Sequence, residues 1–300
     1  MTPINGLGIG TSKFTFIEPV TNNYSVDLDG TNDFVNLGNS TEIKLRPTDT
    51  SEGGGITVAC WFRGDWWNGT SSGYPSAPEH IFSTLHVGGW SIYMTTRIVC
   101  NLNIVDPDDA SANTYLEIQG GYKTLDNDGS GSGVQSYRAS GWTHVAMTFD
   151  GRTLEAYVNG RIETSRSVET VDSTADDTPI RYGAGNYDTD VLLGGDPASL
   201  SGGVSGTAGA SSNFDGKIDQ AAIWNKALDI DAVKEIFDAV DVDGAPLDLT
   251  EDSGNYDYSD NLVGYWKMEE GTGTTVEDSS DNSNTGTLKN SPGWSTTTPS

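Results

Sequence analysis

Cysteine, positive charge, histidine and long apolar runs are all scarce here, and each shortage closes off a class of protein. Only Cys60 and Cys100 occur in 300 residues. Each sits inside an apolar stretch, and their spacing fits no metal motif. A disulfide-dense scaffold is excluded; two buried free thiols are the plain expectation, with one disulfide as the other reading. Lys and Arg number 16 against 43 Asp and Glu, a formal net charge of −27. Wrapping a polyanion would be repulsive over the whole surface, so no nucleic acid partner is expected. The carboxylate excess suits a salt-rich solvent or calcium sites better than a membrane surface or an acidic substrate. No stretch approaches the roughly 18 apolar residues of a membrane span, so no membrane insertion is expected. The first twenty residues have neither a basic n-region nor a continuous apolar h-region, so no Sec-type signal peptide is visible. Synthesis in a cytoplasm is expected, with lysis as the natural route outward. His80, His86 and His144 are scattered and have no visible nucleophile partner. His-x-x-x-His, P-loop and Gly-x-Ser-x-Gly patterns are missing, which removes support for metalloprotease, nucleotide-binding and serine-hydrolase readings.

Strand signals fill the chain instead. Short runs rich in Val, Ile, Thr, Tyr and Trp, bounded by Gly, Asn, Asp or Pro, recur at 24–28, 34–37, 55–63, 80–86, 90–95, 98–104, 114–118, 142–149, 153–158, 191–194, 216–224 and 262–268. The run WTHVAMTFDGRTLEAYVNGRIET is the clearest. Val145, Met147 and Phe149 share one face, Asp150–Gly151 breaks the strand, and Leu154, Ala156 and Val158 resume the alternation. Asn159–Gly160 then marks a two-residue hairpin turn, whose central residues both need positive φ. One helix is expected in LDIDAVKEIFDAV, where Ile230, Val233, Ile236, Phe237 and Val240 recur at helical spacing. Asp229 is placed to cap it and Leu228 to staple it. Polar stretches near 106–140 and 171–213 read as long loops. A dozen strands with one short helix predict an all-β fold, an antiparallel two-sheet sandwich with a surface helix.

Four segments in order, YSVDLDGTNDFVNLG, ITVACWFRG, GWTHVAMTFDGRTLEAYVNG and FDGKIDQAAIWNKALDIDAVKEIF, resemble the laminin-G-like, or concanavalin A-like lectin/glucanase, jelly-roll family. The resemblance covers roughly residues 22 to 240. Beyond the helix, LVGYWKMEEGTGTTVEDSSDNSNTGTL is similar to the piece that usually opens such a domain. The expected organisation is an amino-terminal arm (1–20), a laminin-G-like jelly roll (21–245) and a carboxy-terminal extension (246–300) whose strand at 262–268 returns to the sandwich. The stub of a second domain is the other reading. More loosely, the layout resembles virion proteins of marine tailed phages.

In this superfamily a structural calcium often lies between the loop beginning the domain and the Asp of the closing Gly-x-Ile-Asp strand. Carried over, that implies Asp29, the carbonyl of Gly30, and Asp219, with Asp33 a weaker addition. The competing reading is that these acids cap turns and hold the sheet edge. Trp61, Trp142 and Trp224 fall where the family places packing aromatics. The cluster Asp65–Trp66–Trp67–Asn68–Gly69, with Tyr74 soon after, differs, because two adjacent tryptophans cannot both face inward if extended. Trp66, Trp67 and Tyr74 are candidate ligand contacts: aromatic faces beside Asp and Asn suit a sugar ring and its hydroxyls, and suit a protein interface equally. Arg63–Gly64–Asp65 spells an adhesion tripeptide, a match cheap enough to be chance. Retaining glucanases of this superfamily carry two carboxyls on alternate positions of one strand. Neither Glu269–Glu270 nor Asp106–Pro107–Asp108–Asp109 supplies that pattern, so no enzyme is expected. The resulting expectation is a non-enzymatic virion structural or decoration protein of a tailed phage, with a free carbohydrate-binding module or adhesin as the alternative. Its partners would be other virion proteins and a surface polysaccharide, and self-association into a homo-oligomer is compatible with it.

Overall fold

The computed structural model describes residues 20–44, 55–65, 75, 77–84, 89–95, 97–105, 113–120, 141–167, 189–197 and 212–300. In chain order the elements are β1 (Ser25–Asp29), β2 (Phe34–Asn36), the single turn α1 (Thr41–Lys44), β3 (Ile56–Gly64), β4 (Glu79–Ser83), β5 (Trp90–Met94), β6 (Ile98–Val105) and β7 (Asn113–Gly120). There follow β8 (Thr143–Phe149), β9 (Thr153–Val158), β10 (Arg161–Ser167), β11 (Leu192–Leu193), β12 (Asp215–Trp224) and helix α2 (Ile230–Asp241). The chain closes with β13 (Leu262–Trp266), β14 (Thr275–Val276), β15 (Gly286–Lys289) and β16 (Gly293–Ser295). Two eight-stranded sheets result. The first runs β10–β9–β8–β3–β12–β1–β16 with β13 also on β12; the second runs β14–β15–β2–β11–β4–β5–β6–β7. This is the antiparallel two-sheet sandwich that the strand signals predict, of the jelly-roll kind that the resemblance implies.

Period-two alternation decides which side chains fill it. Ile56, Val58, Cys60 and Phe62 of β3, Val145, Met147 and Phe149 of β8, and Leu154, Ala156 and Val158 of β9 all point into the core between the sheets. From the second sheet come Ile92, Cys100, Leu102, Leu116 and Leu193. Cys60 and Cys100 are free, buried thiols. The Asn159–Gly160 turn has φ of 49° and 71°, as the hairpin signal requires. On β12 a register shift between Asp219 and Ala222, with Gln220 at φ 48°, inverts the alternation. Ile218 faces the core before the bulge, and Ala221 and Ile223 face it after.

The other face of the first sheet carries a second apolar layer. Ala59, Ala146, Tyr157, Ala222 and Trp224 pack there beneath Ala232, Val233 and Ile236 of α2 and beneath Leu249, Tyr256 and Tyr265. Trp61 and Trp142 join Val240 and Phe237 on the same side. The three tryptophans are thus buried, but under the helix rather than between the sheets. Asp229 caps α2, its Oδ1 accepting from the Ala232 backbone N–H at 2.8 Å. Ile230 departs from the helical pattern: it is 43% exposed.

The last forty residues contribute to both layers. β13 pairs with β12 and β16 with β1, while β15 pairs with β2. Trp266, Met268, Val276 and Leu288 enter the core. Trp266 donates its Nε1–H to the Asn284 carbonyl at 2.8 Å. Residues 295–299 lie beside the first described strand: the Ser25 hydroxyl donates to the Thr297 carbonyl at 2.8 Å, and Asn22 Nδ2 to the Pro299 carbonyl at 3.2 Å.

Candidate functional site

An open groove of about 410 Å³ lies on the helix-bearing face of the first sheet. Its floor follows from the β8–β9 alternation. With Phe149, Leu154 and Ala156 committed to the core, Thr148, Thr153, Glu155 and Tyr157 must face outward, and Thr148 stands directly opposite Glu155. Ile162, paired with Tyr157 across β10, and Asp150 from the β8–β9 turn add two sides. Ala227, Leu228, Asp229 and Ile230 form the remaining wall. That wall is pinned from a distance. The Thr57 hydroxyl donates to the Lys226 carbonyl and accepts from the Leu228 N–H, both at 2.8 Å. Gly55 makes the approach feasible, since a Cβ there would lie 2.5 Å from the Ala227 backbone nitrogen.

Three carboxylates converge on this groove, each held by the chain's own donors. Asp150 Oδ1 accepts from the backbone N–H groups of Arg152 and Thr153 at 2.8 and 2.7 Å. Glu155 Oε2 accepts from the Tyr157 hydroxyl at 2.5 Å, and Asp229 Oδ2 from the Tyr258 hydroxyl at 3.2 Å. Burial, then the neighbouring Glu155 carboxylate, pushes the Tyr157 phenol above its ordinary range, so it stays a donor. Ile162 and Ile230, each 43% exposed, supply apolar surface at the groove. Such a mixture of acceptors, hydroxyls and apolar walls, in a volume inside the range of about 300–1,000 Å³ usual for small-ligand sites, can hold a polyhydroxylated ligand.

Trp66, Trp67 and Tyr74 lie outside the described residues. Asp29 and Asp219, two of the calcium ligands the resemblance implies, stand on the neighbouring strands β1 and β12. Asp29 pairs with Asp215 and Val26 with Ile218. Asp219 therefore sits four residues along β12 from Asp29's partner, roughly 13 Å at 3.3 Å per residue. Asp29 Oδ1 instead accepts from the Thr31 N–H at 2.8 Å, the turn-holding role of the competing reading. Gly30 adopts φ 67° in that turn, where a Cβ would lie 2.6 Å from Asp215 Cβ. Asp219 is fully buried, and Gln220 N–H donates to its Oδ1 at 2.9 Å while Oδ2 has no partner. Among the described residues no group of three or more His, Cys, Asp or Glu is placed to hold a metal ion. Asp33 is buried; burial, then Asp29, raises its pKa.

The protein is thus a two-layer antiparallel β-sandwich with an acceptor-lined groove on one sheet. Residues 37–234 match the family model described as the concanavalin A-like lectin/glucanases superfamily, and the chain belongs to that superfamily. No curated protein matches it. Among solved structures it is similar to a Bacteroides ovatus ATCC 8483 protein provisionally named as carbohydrate binding, with TM-score 0.51 and 15% identity over 93% of this chain. This chain spans 61% of that protein's length. It is also similar to the CBM40 of Ruminococcus gnavus IT-sialidase, solved with α2,3-sialyllactose (TM-score 0.43, 13% identity, 71% of this chain, 96% of that one). A third is the native heptameric SAP-like pentraxin of Limulus polyphemus (TM-score 0.38, 14% identity, 72% of this chain, 82% of that one).

Proposed function

We propose that this protein is a non-enzymatic saccharide-binding module and that the groove between the β8–β9–β10 face and the start of α2 is where the sugar sits. The observation that carries the reading is the convergence there of three carboxylates, a phenol and two threonines beside half-exposed isoleucines. Sugar hydroxyls can donate to the carboxylates while C–H faces rest against Ile162 and Ile230. A binding role suits these acids better than hydrolysis. Asp229 is committed to capping a helix and Asp150 to closing a turn, so neither is poised as a mobile proton donor.

The test is a glycan panel read with the intact chain and with Ile162→Ser plus Ile230→Ser. Both side chains are half exposed, so the double variant is expected to keep its melting midpoint within a few degrees. Its affinity for the sugar the wild type selects is expected to drop by about tenfold or more, the effect of losing roughly 1.4 kcal/mol of contact. Unchanged affinity in that variant, with loss of binding in Trp66→Ala plus Trp67→Ala, would move the site to the tryptophan pair. A finer reading, that the module is mounted on a tailed-phage virion, is supported by the order of its sequence segments and by the charge balance of 16 basic against 43 acidic residues. Purified particles without this chain would remove it.

A further inference from the structure

We infer that the saccharide taken by this groove carries free amino groups: a glucosamine-type oligomer rather than a neutral or carboxylated one. The inference rests on the groove being the sugar site and adds the charge of the ligand. Among the described residues its lining includes Asp150, Glu155 and Asp229, and no lysine, arginine or histidine. Lys226, the basic residue next to that wall, holds its Nζ over the Tyr258 ring at 5.5 Å and is not among the lining groups. The internal hydrogen bonds use only one oxygen of two of these acids. Asp150 Oδ1 is taken by the β8–β9 turn and Glu155 Oε2 by Tyr157. The second oxygens, Asp150 Oδ2 and Glu155 Oε1, receive no hydrogen bond from the chain.

Three negative groups around one opening set up a local field that attracts a cation and repels an anion. An ammonium group supplies three donors to acceptor-only carboxylates, and charge-assisted hydrogen bonds of that kind are roughly twice as strong as neutral ones. The same field works against a uronic acid, whose carboxylate would meet three like charges with no lining cation to offset them. Ile162 and Ile230 complete the fit, because an amino sugar keeps the apolar C–H faces of any pyranose. A small lysine peptide shares the charge but lacks a ring of hydroxyls for Thr148, Thr153 and Tyr157.

Calorimetric titration separates these cases. The probes are the β-1,4-linked glucosamine tetramer held below its amine pKa, the fully N-acetylated tetramer, tetragalacturonate and tetralysine. The intact protein is expected to bind the amine tetramer about tenfold or more tightly than the acetylated one, to ignore tetragalacturonate, and to lose the difference as salt is raised. Asp150→Asn with Glu155→Gln keeps an acceptor on each internal hydrogen bond while removing two charges. That variant, which keeps only the Asp229 charge in the groove, is expected to lose most of the preference for the amine tetramer, with an unchanged melting midpoint. Acetylated tetramer binding as well as the amine form in the wild type would overturn the amino-sugar inference and leave the saccharide reading standing. Tetralysine binding with no heat from any sugar would overturn both. A preference undiminished in the double variant would mean that Asp150 and Glu155 do not select the ligand's charge, and would also overturn the inference.

Discussion

His144 stands on the outer face of β8, its ring centroid 5.3 Å from that of Trp61 and 6.4 Å from that of Phe237. It is buried, and burial drives its pKa down from 6.5 to about 3. The folded ring is therefore neutral at ordinary pH, whereas in the unfolded chain it takes up a proton once the pH falls below about 6.5. Because the unfolded state binds more protons in that window, the stability conferred by the neutral ring is fully present above pH 6.5. It is lost as the pH falls toward 3, at up to about 1.4 kcal/mol per pH unit. Urea unfolding of the wild type and of His144→Phe across that range is expected to show a shallower pH slope in the variant. Parallel slopes would mean that the histidine is charged, or exposed, in the folded protein. The two buried thiols follow the same rule from the other side: burial pushes both Cys60 and Cys100 upward, so neither is a reactive thiolate.

Helix α2 ties the fold to the groove, because Asp229 is both its cap and part of the lining. Asp229→Ala is expected to cost about 1 kcal/mol of stability, the usual loss of an N-cap acceptor. Asp229→Asn keeps an acceptor and removes the charge. Thermal unfolding should then show the alanine variant destabilised and the asparagine variant near wild type, while both bind the amine tetramer less tightly. Equal stability of the two would mean that the cap contributes nothing. This helix was legible in the sequence because its signals are local: Leu228, Asp229 and apolar residues at helical spacing. The Asn159–Gly160 hairpin and the β8–β9 alternation were legible for the same reason. β10 is implied by the Asn159–Gly160 turn before it but carries no strand signal of its own. Its sequence RIETSRS has no alternation, because an exposed edge strand buries no face. β14, β15 and β16, of two to four residues, are too short to show a period. The outward set Thr153, Glu155 and Tyr157 can be read from the alternation of β9. Its partner wall cannot, since Thr57 and Lys226 are 169 residues apart in the chain. The placing of Asp29 and Asp219 has a related reason: a motif carries residue types across, but strand register sets Asp29 opposite Asp215.

Taken whole, the molecule is a sandwich whose final segment is structural. Residues after Asn261 put strands on both sheets and Trp266 against Phe82 in the core, 6.5 Å between ring centroids. The groove uses none of them and is built from β8, β9, β10 and the approach to α2. Scaffold and proposed binding surface are thus separable, as expected where loops and one sheet face of a rigid fold carry a binding role. The most direct test is to follow every backbone amide of the isotope-labelled full chain by NMR while adding the amine tetramer. Shift changes are expected to concentrate on Thr148–Glu155, Tyr157, Ile162 and Ala227–Ile230 and to leave β4, β5 and β6 still. Saturating binding that moves the second sheet and leaves those residues unchanged would contradict the account.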